Sequence, residues 1–123
     1  MARVFVAEDE ANLLALVYDN LEMAGYQIET ARDGDEALQK IRASLPDIAI
    51  LDLLMPKKTG WDVAKILKSD PKTSHIPIII LTASVSDEEI AKAQNLGIAK
   101  YIKKPYEPET VTAAIEEILK KTG

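Results

Sequence analysis

The sequence predicts an α/β fold built on a doubly wound parallel sheet of five strands. Three observations lead there. A short apolar run followed by an amphipathic helical pattern recurs five times along the chain. The runs IAILD at 48–52 and IPIIILTA at 76–83 are apolar at nearly every position and β-branched, as strands are when both faces are covered. The connections are short, which suits βαβ units with right-handed crossovers.

The strand candidates, in order, are Val4 to Ala7, Gln27 to Thr30, Ile48 to Leu51, Ile76 to Leu81 and Tyr101 to Ile102. Between them lie five helical patterns. The first runs from about Ala11 to Ala24, with Leu13, Val17, Leu21 and Ala24 at helical spacing and Gly25 as terminator. The second begins near Asp35, after an Asp33-Gly34 turn, and turns Ala37, Leu38 and Ile41 inward. The third runs from about Trp61 to Ser69, with Val63, Ile66 and Leu67 on one face. Ser86 caps the fourth, since SDEE is a capping-box pattern. Pro108 suits the first turn of the fifth, whose stripe is Val111, Ala114, Ile115, Ile118 and Leu119.

The 123 residues suit one domain, residues 1–123, with a core that needs no staples. The absence of cysteine excludes disulfides, thiolate metal sites and thiol catalysis. A net charge of −5 argues against nucleic-acid binding through this surface. MARVFVAEDE does not read as a signal peptide, and no apolar stretch reaches the roughly 20 residues of a membrane span, so a soluble cytoplasmic protein is expected.

In doubly wound sheets, ligands bind beyond the carboxyl ends of the strands, where the strand order reverses. Reading off those ends places Glu8, Asp9 and Glu10 after strand one, and Asp52 at the end of strand three. Thr82 ends strand four, and Lys103, Lys104 and Pro105 follow strand five. Polar strand ends are common because they meet solvent; several acids, a hydroxyl and a lysine converging from four strands are not. Crowded carboxylates call for a hard cation, and Mg²⁺ accepts one or two of them while leaving room for phosphate oxygens. A lysine and a hydroxyl beside it would complete a phosphoryl site, and an aspartate can itself be the nucleophile.

The motifs FVAEDE (Phe5 to Glu10), PDIAILDLLMP (Pro46 to Pro56) with Gly60 downstream, ILTA (Ile80 to Ala83) and YIKKPY (Tyr101 to Tyr106) occur in this order across the whole chain. In this they resemble the receiver domains of two-component response regulators, such as the single-domain chemotaxis type. The resemblance implies a flavodoxin-like (βα)5 fold with strand order 2-1-3-4-5. It implies that Asp52 is the phospho-acceptor, that Asp9 binds Mg²⁺ directly, that Glu8 acts through a metal-bound water, and that Leu54 lends its backbone carbonyl. Thr82 would be the switch hydroxyl, Tyr101 the aromatic that turns inward when Thr82 moves, and Lys104 the phosphoryl-binding lysine before a cis proline. The implied donor is a sensor histidine kinase or histidine phosphotransfer protein. The implied reader, at a face of helix four, strand five and helix five, is a downstream effector protein or output domain.

Several positions depart from the family pattern. Glu8-Asp9 replaces the commoner aspartate pair, and Thr59 stands where an acid usually precedes the glycine after strand three, at a site read as loop. Leu54 and Ser84 flank the acceptor, where the family varies. Ala99 and Lys100 precede Tyr101, and helix five carries Lys120 and Lys121 but no arginine. That is unlike regulators that dimerise through helices four and five, and it weighs against a transcription factor of that kind. Ending at Lys121-Thr122-Gly123, the chain reads as a stand-alone receiver, with a receiver parted from its output domain as the other reading.

Other residues read more simply. His75 is an ordinary loop residue and Trp61 a packing residue, Asp87-Glu88-Glu89 a solvated helix start, and Lys57-Lys58 a solvated loop. Leu16 and Met23 lie off the main stripe of helix one; Leu16, near the acids, is read as part of a kinase-docking surface. The rival functions are a degenerate receiver that binds partners without phosphate, a flavin or nucleotide protein, and an aspartate-nucleophile phosphatase. The first usually lacks the acceptor, acids or lysine. The second needs a phosphate-cradling loop after strand one, where Glu8-Asp9-Glu10 stand. The third needs an aspartate two residues after Asp9, where Ala11 stands.

Overall fold

Hydrogen bonding joins five parallel strands into one sheet in the order β2-β1-β3-β4-β5. The elements are β1 (Arg3–Ala7), α1 (Ala11–Met23), β2 (Gln27–Ala31), α2 (Gly34–Ser44), β3 (Ile48–Asp52), α3 (Gly60–Ser69), β4 (Ile78–Thr82), α4 (Asp87–Leu96), β5 (Lys100–Lys103) and α5 (Pro108–Thr122). The structure, a computed structural model, describes residues 2–83 and 86–122, the side chains of Lys121 and Thr122 excepted. Ser84 lies outside the described residues.

The pattern of side chains explains the layers. In β1, β3 and β4 successive residues point to opposite faces, and both faces are covered. Val4, Val6, Ile48, Ile50, Ile79 and Leu81 pack with Val17 and Leu21 of α1 and Val111, Ala114 and Ile115 of α5. Phe5, Ala7, Ala49, Leu51, Ile78 and Ile80 pack with Ala37, Leu38 and Ile41 of α2 and Val63, Ala64 and Leu67 of α3. The strands at the two edges, β2 and β5, are only partly buried, so QIETA and KYIK mix polar and apolar residues.

Element boundaries move by one or two residues from the expected ones, each for a local reason. Strand four begins at Ile78 because Pro77 has no N–H for the ladder; its carbonyl still accepts from the Ala49 amide at 3.0 Å. Ile76 is buried all the same, at 1% exposure. Asp33 is the N-cap of α2, which brings Gly34 into the helix. Thr59, expected in loop, caps α3 in a full capping box with Asp62. Ser86 caps α4 by accepting from the Glu89 amide at 3.1 Å, while the Glu89 carboxylate accepts a hydrogen bond from Tyr101.

The register sets the position of the site. Ala7 pairs with Leu51 and Asp52 with Leu81, while Thr82 pairs with Lys103. Glu8 and Asp52 therefore leave the sheet side by side, between β1 and β3, where the chain reverses its direction of winding.

Candidate functional site

Burial at this edge is unusual for charged groups. Glu8 is 1% exposed, Asp52 2% and Thr82 4%. Asp9, on the loop just beyond, is less buried. One carboxylate oxygen from each of Glu8, Asp9 and Asp52 lies within 4.8 Å of the others.

Lys104 crosses from the end of β5 to meet them. Its Nζ is 2.6 Å from Asp52 Oδ2 and 3.3 Å from Glu8 Oε1. The Lys104–Pro105 peptide is cis, as expected, and the Lys104 amide donates to the Thr82 carbonyl at 2.6 Å. Asp52 Oδ1 accepts from the Leu54 amide at 3.2 Å, and Glu8 Oε2 from the Glu10 amide at 3.3 Å. Lys103, the neighbour of Lys104 in the chain, is exposed.

The charges are not balanced. Burial first, then the hydrogen bond and charge of Asp52, push the Glu8 carboxyl up to about 8, against the opposing pull of the Glu10 amide and Lys104. Burial by itself would lower the Lys104 ammonium, but the hydrogen bond and charge of Asp52, helped by Glu8, hold it above its ordinary value. The site thus holds a carboxyl that keeps its proton near neutrality until a further cation offsets the crowding.

A second group of side chains adjoins the first. The Tyr101 hydroxyl donates to Glu89 Oε2 at 2.6 Å, and its ring stacks on Trp61 with centroids 6.3 Å apart at 29°. Burial, then the Glu89 hydrogen bond, push the Tyr101 phenol up to about 12, while a Thr82 hydrogen bond pulls the other way. Trp61 packs, as expected, and Lys92 Nζ lies 5.4 Å from its ring centroid.

Of the expected residues, Glu8, Asp9, Asp52 and Lys104 come together, with Thr82 at the adjoining strand end and Tyr101 reaching Thr82. Leu54 places its amide at Asp52 and leaves its side chain 75% exposed. Leu16 is 52% and Met23 87% exposed on α1. His75 is an exposed loop residue.

Three features went unread. Arg32 donates from Nη2 to the Asp9 carbonyl at 2.8 Å. The Tyr106 hydroxyl is buried without a hydrogen-bond partner among the described residues; burial and the charges of Glu8, Asp52 and Glu10 raise its phenol above the usual range. Tyr106 stands in YIKKPY, but nothing in that motif signals a buried hydroxyl.

Gly60 is the third. A Cβ there would lie 2.5 Å from the Asp52 carbonyl oxygen and 3.0 Å from Leu53 Cα, both backbone atoms that cannot swing away. Gly60→Ala is therefore expected to destabilise the fold by about 1–3 kcal/mol, read by urea denaturation. Wild-type stability in that variant would show that the loop beside Asp52 yields freely.

Comparison with known proteins agrees with this geometry. Residues 4–116 match the response regulator receiver domain model. The chain is 38% identical over 122 residues to the alkaline phosphatase synthesis transcriptional regulatory protein PhoP of Bacillus subtilis, covering 98% of this chain and 49% of that protein. It is 36% identical over 121 residues to the probable transcriptional regulator ycf27 of Guillardia theta, covering 98% and 46%. The chain thus spans about half the length of the curated relatives it matches. Among solved structures, chemotaxis protein CheY4 of Vibrio cholerae superposes with a TM-score of 0.89 at 32% identity, covering 95% of this chain and 98% of that one. With its fold and nearly its whole length in agreement, the chain belongs to the receiver-domain family of two-component response regulators.

Proposed function

We propose that residues 1–123 act as one receiver domain in which Asp52 accepts a phosphoryl group. The donor is a phosphohistidine on a sensor histidine kinase or histidine phosphotransfer protein. The observation that carries this reading is Asp52 itself, a carboxylate 2% exposed at a strand end, with Lys104 Nζ at 2.6 Å and two further acids beside it.

The donor set suits Mg²⁺: all oxygen, three carboxylates against one ammonium, and a Glu8 proton retained by burial and by the neighbouring Asp52. Glu8, Asp9, Asp52 and the Leu54 backbone carbonyl would hold it, and the ion supplies charge neutralisation at the phosphoryl oxygens. A carboxylate oxygen of Asp52 forms the new bond to phosphorus. The phosphorus–nitrogen bond breaks, and its electron pair leaves with the donor imidazole. Lys104 offsets charge on the transferring group, and Thr82 donates a hydrogen bond to it. Hydrolysis of the aspartyl phosphate returns the carboxylate.

Thr82 and Tyr101 then form the switch. Engagement of Thr82 by the phosphoryl group changes what Tyr101 meets, which shifts the population of the face made by α4, β5 and α5. A downstream effector protein or output domain reads that face, and exposed Leu16 on α1 forms part of the surface for the phosphodonor.

Intact-protein mass after incubation with Mg²⁺ and acetyl phosphate or phosphoramidate tests the reading. The wild type should gain one phosphoryl group, ~80 Da, and Asp52→Asn none. No gain in the wild type, with no Mg²⁺ binding, would instead favour a degenerate receiver that binds its partners without phosphate.

A further inference from the structure

We propose that the turn after β2 and the first residues of α2, residues 32–35, form a positioning element for the phosphoryl site, holding Asp9 through Arg32 and the loop after Asp52 through Gly34. The proposal rests on the reading of Asp52 and its neighbours as that site.

The ladder between β1 and β2 ends where Ala7 pairs with Ala31, with the Glu8 amide still bonded to the Ala31 carbonyl at 3.0 Å. Beyond that point the main chain of β2 offers Asp9 no partner in register. The Arg32 guanidinium takes over, donating to the Asp9 carbonyl at 2.8 Å. A fixed carbonyl fixes the Asp9 peptide, and so the direction in which its Cα–Cβ bond leaves the loop.

Arg32 is itself anchored. Its amide donates to Glu36 Oε1 at 2.9 Å, and the Glu36 amide donates to Asp33 Oδ1 at 2.8 Å. Lys40 pairs with the other Glu36 oxygen at 3.1 Å. The first turns of α2 thus fix the Arg32 main chain from which the guanidinium reaches Asp9.

The same turn grips the loop between β3 and α3, the loop that carries Leu54. The Gly34 amide donates to the Pro56 carbonyl at 3.2 Å. A Cβ on Gly34 would fall under 3.0 Å from both the backbone oxygen and the Cβ of Lys58, so the two loops touch backbone to backbone. Lys57 pairs with Asp33 at 3.6 Å and Lys58 with Asp35. Lys57 has a φ of 71°, a left-handed conformation that a lysine adopts only when its surroundings impose it. Exposed ion pairs contribute little to stability. Their placement at this loop argues for control of its shape.

Calorimetric titration of metal-free full chain with Mg²⁺ alone is the test, together with the Mg²⁺ dependence of phosphorylation by acetyl phosphate. Arg32→Ala should weaken Mg²⁺ binding about three- to tenfold, as loss of a hydrogen bond behind a ligand does. The phosphorylation rate at saturating Mg²⁺ and the metal-free melting temperature should stay near wild type. Amide exchange at Asp9 and Glu10 should quicken without metal, and Arg32→Lys should recover part of the affinity. Arg42→Ala, which removes a pair with Asp70 at 4.0 Å elsewhere on α2, should change none of these. Arg32→Ala with wild-type Mg²⁺ affinity would overturn the proposal and leave the phosphoryl site standing. An early metal-free melt, with Arg32→Lys equally affected, would make Arg32 structural and also overturn it. A wild type that binds no Mg²⁺ would overturn the phosphoryl-site reading and this one together.

Discussion

Metal-free protein is expected to lose on the order of 3 kcal/mol of stability as pH rises from about 5 to about 8, and Mg²⁺ is expected to reverse the trend. Glu8 carries the effect. Burial, with the Asp52 hydrogen bond and charge behind it, pushes this carboxyl from 4.5 up to about 8. The folded chain therefore keeps a proton over a range in which the unfolded chain has released it, and stability falls with pH wherever the folded state binds more protons. The cost is absent below about 4.5, where both states hold the proton, and complete above about 8, where both have lost it.

Asp33 and Glu36 act in the opposite sense. Their carboxyls are lowered, chiefly by backbone hydrogen bonds, so their contribution is present above the ordinary carboxylate range and lost on acidification. The two windows do not coincide. In the proposed metal site Mg²⁺ would favour the Glu8 carboxylate and expel the proton, so the rise in Tm that Mg²⁺ confers should grow with pH. Thermal melts at graded pH, with chelator or with excess Mg²⁺, read both arms. Glu8→Gln should flatten the metal-free profile; a variant that kept the wild-type slope would place the proton elsewhere.

Lys104→Ala should cost about 2–4 kcal/mol in metal-free protein at neutral pH, against less than about 0.5 kcal/mol for the exposed neighbour in Lys103→Ala. Lys104 Nζ bonds Asp52 at 2.6 Å and Glu8 at 3.3 Å, and both carboxyls are almost fully buried. Removing the ammonium leaves the Asp52 carboxylate with the Leu54 amide and a Glu8 carboxyl that retains its proton more tightly. That proton softens the loss, which is why the cost falls below that of an uncompensated buried charge. Adding Glu8→Gln to Lys104→Ala should restore part of the stability, and denaturant titration of the four proteins measures the coupling. Equal stability of wild type and Lys104→Ala would mean that the lysine does not organise the carboxylates before phosphorylation. Loss of the same cation from the transferring group should also slow phosphorylation at least about a hundredfold.

The layout of both the fold and the site was open to reading from residue order. IAILD and IIILT are apolar throughout because β3 and β4 are covered on both faces, and a run of that kind shows in any alignment of residues with a period of two. The helical stripes ending at Gly25 and opening at Pro108 follow from backbone rules of the same local kind. Glu8, Asp52, Thr82 and Lys104 could be placed at one edge because parallel strands all point their carboxyl ends the same way. Once the strands are located, topology converts position along the chain into position in space.

The contacts that shape the site are of another kind. Gly60 against the Asp52 backbone, Gly34 against Lys58, Arg32 on the Asp9 carbonyl, Glu89 beneath the Tyr101 hydroxyl and Trp61 against its ring each join segments from different βα units or the two ends of one. No local periodicity announces them. They depend on register and on how closely two loops approach, which differ by fractions of a residue spacing that composition does not record. Even Ile76, apolar and β-branched, stands outside its strand because the proline after it removes a ladder donor. Which residues reach the edge of the sheet is a matter of chain order, whereas how tightly each is held, and by what, is decided only by tertiary contacts between segments distant in the chain.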